Sequence, residues 1–155
     1  MKERFGCLVA LRSPAHVTLI PPFWMKQEIE NKLKDSIENF SHQQTSFELN
    51  LKNFSAFKPR VIYVDVKPNE ELKKLHLGLC EYLKTADLFP IEKEERPFHP
   101  HITIATRDLS KKSFYEAWEI FKEKEYQASW IINSISLLRH IQKNWDVVFT
   151  SQFQK

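Results

Sequence analysis

The tetrapeptide His-Val-Thr-Leu at residues 16–19 returns as His-Ile-Thr-Ile at residues 101–104. Six His and six Thr placed at random in 155 residues give about 0.2 His-x-Thr pairs, so two copies in matching surroundings constrain the whole chain. On a strand, alternate side chains point the same way. His16 and Thr18 then share one face while Val17 and Leu19 pack on the other, and His101 and Thr103 do the same in front of Ile102 and Ile104. If the two strands face each other across a cleft, two imidazoles and two hydroxyls surround one small space. That is equipment for acid–base chemistry.

The surroundings repeat as well. Met25, Ile29, Leu33, Ile37 and Phe40 recur at intervals of four and three, which predicts a helix over 25–41. Asn69 is a candidate cap for a second helix, with Glu70 and Glu71 in its first turn and Leu72, Leu75, Leu79 and Leu83 as its stripe. Ser110 opens a third, carrying Phe114, Ala117, Trp118 and Phe121. Period two marks strands: Phe47, Leu49 and Leu51 alternate with polar residues, and VIYVDV at 61–66 is β-branched and aromatic. Residues 128–138 read as one long or bent strand, and Trp145, Val147 and Phe149 alternate near the end. Each half runs His-x-Thr strand, helix, strand, strand. The last strand starts 45 residues after His16 in one half and 46 after His101 in the other. Two units are too few for a solenoid. They predict a single bilobal α+β domain, with lobe one at about 1–84, a connector at 85–100 and lobe two at about 101–155.

Composition narrows the function. The chain is 42% hydrophobic and 13% aromatic, with 12 Phe and 4 Trp, which is the make-up of a packed core. A net charge of +3 permits a phosphate-bearing ligand but lacks the basic excess of a duplex-binding protein. Cys7 and Cys80 have no framework or metal-type spacing and read as buried or incidental thiols in a reducing compartment. No apolar run approaches a membrane span, and the N-terminal apolar piece is too short, and too closely flanked by Glu3 and Arg12, for a signal peptide. The expectation is a cytoplasmic protein.

With these features together, SPAHVTLIPPF, FKPRVIYVDV, RPFHPHITIATRDL and LLRHIQKNW resemble the 2H phosphoesterase superfamily, and within it the bacterial 2′-5′ RNA ligase-like family. The resemblance covers the chain from about residue 13. It implies a pseudo-two-fold α+β fold with a concave antiparallel sheet in each lobe, helices packed outside, and the two motifs lining the cleft between lobes. It also implies action on 2′,3′-cyclic phosphates and related phosphodiesters without a metal or other cofactor, with His16, Thr18, His101 and Thr103 as the catalytic set. Family members usually begin with a further strand and helix. Only about fifteen residues precede His16 here, which predicts either a natural chain that starts further upstream or a first lobe one strand short, whose open edge is covered by residues 5–11 pairing with the sheet or by a second chain in a homodimer. The favoured expectation is the shortened lobe with an edge that tends to associate.

Opening a cyclic phosphate with water requires a base for the water proton and an acid for the leaving oxygen. Two histidines, with reference pKa near 6.5, can divide those tasks at neutral pH. Family analogy assigns His101 as base and His16 as acid, while the threonine hydroxyls donate to non-bridging oxygens. Arg107 is the candidate cation for phosphate, and its alternative is a rim residue paired with Asp108. Phe23 and Phe98 flank the motifs and are candidates for stacking on a base, with core packing as the plainer role. His42, His76 and His140 read as structural. His99 reads as supporting, because Pro100 breaks regular alternation. A zinc site from His16, His99 and His101 lacks a completing Cys or carboxylate. Segment 85–100 reads as a solvated connector, or more sharply as a lid over the cleft. The expected partner is an RNA end or small nucleotide, and the expected activity is metal-independent phosphodiester hydrolysis. The alternatives are reversible 2′-5′ RNA ligation and nucleotide or RNA binding with little turnover.

Overall fold

A computed structural model describes residues 1–86 and 97–154. The elements run α1 (Lys2–Phe5), a 3-10 turn (Val9–Arg12), a second 3-10 turn (Gln27–Ile29), α2 (Glu30–Ser41), β1 (Phe47–Phe57), β2 (Val61–Val66), α3 (Glu70–Thr85), β3 (His101–Ala105), α4 (Lys111–Phe121), β4 (Gln127–Ile132), β5 (Ser134–Ile141) and β6 (Asn144–Gln152). The class is α+β, with antiparallel pairing throughout both sheets.

The helices follow their stripes. In α2, Leu33, Ile37 and Phe40 are buried, although the first turn of the expected helix is 3-10. Asn69 caps α3 by accepting from the Leu72 N–H at 2.7 Å, and Leu72, Leu75, Leu79 and Leu83 form its buried row. Ser110 caps α4 through the Ser113 N–H at 3.1 Å. These caps satisfy donors that the first helical turn leaves unpaired.

Four strands form one sheet in the order β3-β2-β1-β4, and β5 and β6 form a separate hairpin. The sheet takes β1 and β2 from before the connector and β3 and β4 from after it. Strands from either side of residues 85–100 are therefore hydrogen-bonded in one sheet. The connector reading itself falls mostly on residues 87–96, outside the described residues. The long segment 128–138 breaks at Asn133, giving β4 to the sheet and β5 to the hairpin.

One irregularity decides what faces the site. The alternation of Leu49 and Leu51 toward the core would carry on to residues 53, 55 and 57. Instead the register shifts between Leu51 and Phe54, where Asn53 takes φ 58°. Asn tolerates this left-handed conformation, and here its Oδ1 accepts from the Tyr126 N–H at 3.1 Å while its own N–H reaches the Tyr126 carbonyl at 2.7 Å. Past the bulge Phe54 and Ala56 pack on the core side. Phe57 consequently comes to the face that carries His101, with its ring against the imidazole.

The core has two parts. The larger joins α2 and α3 to β1, β2, β3 and the hairpin, through residues such as Leu33, Leu49, Val64, Leu79, Ile102 and Ile135. The smaller places Phe114 and Ala117 of α4 under Ile62, Ala105 and Cys7.

The N-terminal stretch departs from the expected strand. Gly6 turns the chain at φ 65°, and the 3-10 turn at 9–12 packs against β3. Residues 5–11 do not join the ladder, because the N–H groups of Leu8 and Val9 donate to the Asp108 carboxylate, the latter at 2.9 Å. The stretch forms a turn with Cys7 buried in the smaller core, and does not pair with the sheet as a strand.

Two measurements of stability check this account. Replacing fully buried Phe114 with Ala should cost about 3–5 kcal/mol in denaturant unfolding, whereas Trp24→Ala, at a site 94% exposed, should stay within about 0.5 kcal/mol. Partial burial raises the Asp108 carboxyl, but the N–H groups of Val9 and Leu8 and the charge of Arg12 outweigh it and hold the pKa below the ordinary value. Its stabilising effect should therefore be full above about pH 4 and fade as pH falls through the depressed value. The stability difference between wild type and Asp108→Asn should shrink correspondingly in acid, and a difference that grows there would refute the assignment.

Candidate active site

Both motifs are built on alternate burial. Around His16 the side chains run exposed, half-buried, exposed, half-buried for His16, Val17, Thr18 and Leu19. In the second copy Ile102 is buried while His101 and Thr103 are partly open. Val17 and Leu19 pack on the same core cluster that contains Ile102 and touches Ile104. The apolar backs of the two motifs thus share one core, and their His and Thr side chains point off it.

The first copy is not a ladder strand, and the chain bends at Leu19 and Ile20. Pro14, Pro21 and Pro22 bracket it and supply no N–H. Its Leu19 carbonyl bonds the His76 ring Nδ1 at 2.8 Å, which ties the segment to α3. The second copy is β3, paired to β2 with His101 opposite Asp65 and Thr103 opposite Tyr63.

The two histidines are held alike. His16 Nδ1 lies 2.7 Å from the Pro14 carbonyl oxygen, and His101 Nδ1 lies 2.7 Å from the His99 carbonyl oxygen. A carbonyl only accepts, so each Nδ1 carries the proton and donates it. In the neutral imidazole this leaves the Nε2 lone pair free, and in the charged form an Nε2–H. Each ring can take or give a proton at one defined atom.

His101 has an aromatic wall. Its ring centroid is 5.1 Å from Phe57 and 4.9 Å from Tyr63. His99 is pinned beside it: Nε2 is 3.1 Å from the Tyr63 hydroxyl and 3.6 Å from Asp65 Oδ1. The backbone of His99 orients His101 while its side chain is anchored on β2. The supporting role read for His99 from sequence fits this arrangement.

The flanking candidates fall differently. Phe98 stacks on His76 with centroids 3.9 Å apart and planes within 6°, so one of its faces is occupied. Phe23 packs against the larger core. Arg107 is exposed and does not pair with Asp108, whose carboxylate is engaged by the N-terminal backbone. Arg107 lines a groove with Arg60 and Lys111. Sequence reading missed Tyr63, Phe57 and Arg60. For Tyr63 the signal was present, since period two puts it on one face with Asp65. For Phe57 it was hidden by the bulge at Asn53. Among the described residues, no group of three His, Cys, Asp or Glu is placed to hold a metal ion.

Comparison with known proteins gives this geometry its setting. Residues 2–144 match the family described as the 2′-5′ RNA ligase superfamily. A protein of Geobacillus kaustophilus (strain HTA426) named as a putative phosphoesterase is 28% identical over 152 residues, covering 96% of this chain and 83% of its own. An RNA 2′,3′-cyclic phosphodiesterase of Bacillus subtilis (strain 168) is 30% identical over 106 residues, covering 64% of this chain and 55% of its own. Among solved structures, a Thermus thermophilus protein superposes with TM-score 0.68 at 18% identity, over 89% of this chain and 77% of that one. E. coli LigT complexed with 3′-AMP superposes with TM-score 0.66 at 21% identity, over 91% and 78%. These two likenesses are of fold. The match over residues 2–144 decides the family: the chain belongs to the 2′-5′ RNA ligase superfamily, and its role is that of a phosphoesterase.

Proposed function

We propose that the protein is a metal-independent phosphodiesterase that opens 2′,3′-cyclic phosphates, or hydrolyses related phosphodiesters, at RNA ends or on small nucleotides. The observation that carries this reading is the pair of 2.7 Å Nδ1-to-carbonyl contacts, which leaves an equivalent Nε2 on each of two histidines. The Bacillus subtilis relative, named an RNA 2′,3′-cyclic phosphodiesterase, supports the substrate class. Cys7 and Cys80 are unpaired, and burial raises both thiols above the ordinary value, which disfavours their thiolates. Unpaired thiols also suit a cytoplasmic site of action.

In the mechanism, Nε2 of His101 takes a proton from water as its oxygen bonds to phosphorus. Nε2–H of His16 gives a proton to the ring oxygen as the P–O bond breaks. Thr18 and Thr103 donate to the non-bridging oxygens as charge builds on them. The product is a phosphomonoester, and the two histidines exchange protonation states until solvent resets them. With a 5′-hydroxyl of a second strand in place of water, His101 would take that hydroxyl's proton as its oxygen bonds to phosphorus and His16 would protonate the leaving 3′ oxygen, giving a 2′-5′ phosphodiester, so a ligase activity needs no additional machinery.

Turnover of 2′,3′-cyclic nucleotides tests the reading. Changing either His16 or His101 to Ala should lower kcat by at least about a hundredfold with the fold intact. The wild-type pH profile should be bell-shaped, and EDTA should leave the rate unchanged. Activity lost on chelation and restored by zinc would contradict the two-histidine mechanism, and tight binding without turnover would favour a nucleotide-binding protein.

A further inference from the structure

The mechanism uses one end of β3, and the other end opens on a different feature. Between the tip of the β1–β2 hairpin and the loop from β3 to α4 runs a groove of about 390 Å³, lined by Pro59, Arg60, Val61, Thr106, Arg107, Leu109 and Lys111. Among the described residues three of the seven that line it are cations and none is an anion, so the lining is positively charged. The nearest carboxylate in sequence, Asp108, is engaged by Leu8 and Val9. Among the described residues no ion pair involves Arg60, Arg107 or Lys111. All three side chains are exposed and able to meet a ligand.

The groove is linked to the catalytic end by Phe57. This residue starts the turn that carries Arg60, whose N–H bonds the Phe57 carbonyl at 3.0 Å, and its 40%-exposed ring abuts His101. Four steps of about 3.3 Å along β3 separate His101 from Ala105, about 13 Å in all, before the groove begins at Thr106. A free mononucleotide held at the histidines does not bridge that distance. A short single strand does, with a base against Phe57 and its backbone phosphates among the cations.

We infer that the Arg60–Arg107–Lys111 groove is a subsite for backbone phosphates of a single-stranded RNA, which makes the preferred substrate an oligonucleotide end rather than a mononucleotide. The inference rests on the phosphodiesterase reading above and adds the direction in which the strand leaves the site: its cyclic phosphate lies at the histidines and its body runs past Phe57 to the hairpin tip. A guanidinium grips two phosphate oxygens, and lysine adds a point charge. Recognition there is of backbone, not of sequence.

The test compares a cyclic mononucleotide with a tetranucleotide ending in the same 2′,3′-cyclic phosphate, using wild type, Arg60→Gln, Lys111→Gln and the double variant. Wild type should show the higher kcat/KM on the tetranucleotide. The double variant should lower the tetranucleotide-to-mononucleotide ratio by about tenfold and flatten the logarithmic salt dependence by about 1.4, from two phosphate contacts at about 0.7 each. A wild-type ratio near one, or a ratio unchanged in the variants, overturns the subsite. If the double variant fails to fold, the single variants carry the comparison, each with half the change in salt slope. If wild type turns over neither substrate, the catalytic reading fails, and anisotropy with a labelled 3′-phosphorylated tetranucleotide decides the groove separately. Weaker, less salt-sensitive binding in the variants supports it, and equal binding overturns it.

Discussion

The alternation of buried and open side chains along the two His-x-Thr segments is the feature on which the rest of the site depends. Val17 and Leu19 on one segment, and Ile102 and Ile104 on another, are drawn to a single apolar cluster by the free energy of removing them from water. That burial directs His16, Thr18, His101 and Thr103 away from the core. The polar groups need no scaffold of their own, because the cost of presenting them is offset by their apolar neighbours. Each imidazole is then fixed by a backbone carbonyl two residues earlier, which sets the tautomer without using a further side chain.

A second constraint comes from the bulge at Asn53. By shifting the alternation of β1 by one residue, it puts Phe54 against Phe121 of α4 and Ala56 on the smaller core while bringing Phe57 to His101. One residue in a left-handed conformation therefore links the packing of α4 to the aromatic wall of the site. The turn that follows carries Arg60 to the groove, so the placing of Phe57 beside His101 and of Arg60 in the groove both depend on the register of β1.

Much of this was legible in the sequence, and the boundary of legibility is physical. The stripes of α2, α3 and α4, the caps at Asn69 and Ser110, and the paired motifs are local patterns, set by residues within a few positions of one another. What was not legible is set at long range. The alternation at 16–19 was read as a strand, but a ladder needs a partner, and the Leu19 carbonyl is taken by His76 instead. The pairing of β3 with β2 and of β4 with β1, across the connector, is likewise set at long range. The stretch at 5–11 resembled a covering strand, but Asp108, about a hundred residues later, holds its donors in a turn.

The central claim is that both Nε2 atoms act on one phosphoryl group. A crystal structure with a bound 2′- or 3′-phosphorylated nucleotide tests it most directly. The account predicts phosphate oxygens about 2.6–3.2 Å from Nε2 of His16 and of His101, with both Nδ1 contacts retained. A phosphate that meets only one imidazole, or is held elsewhere with the two rings apart, would contradict it.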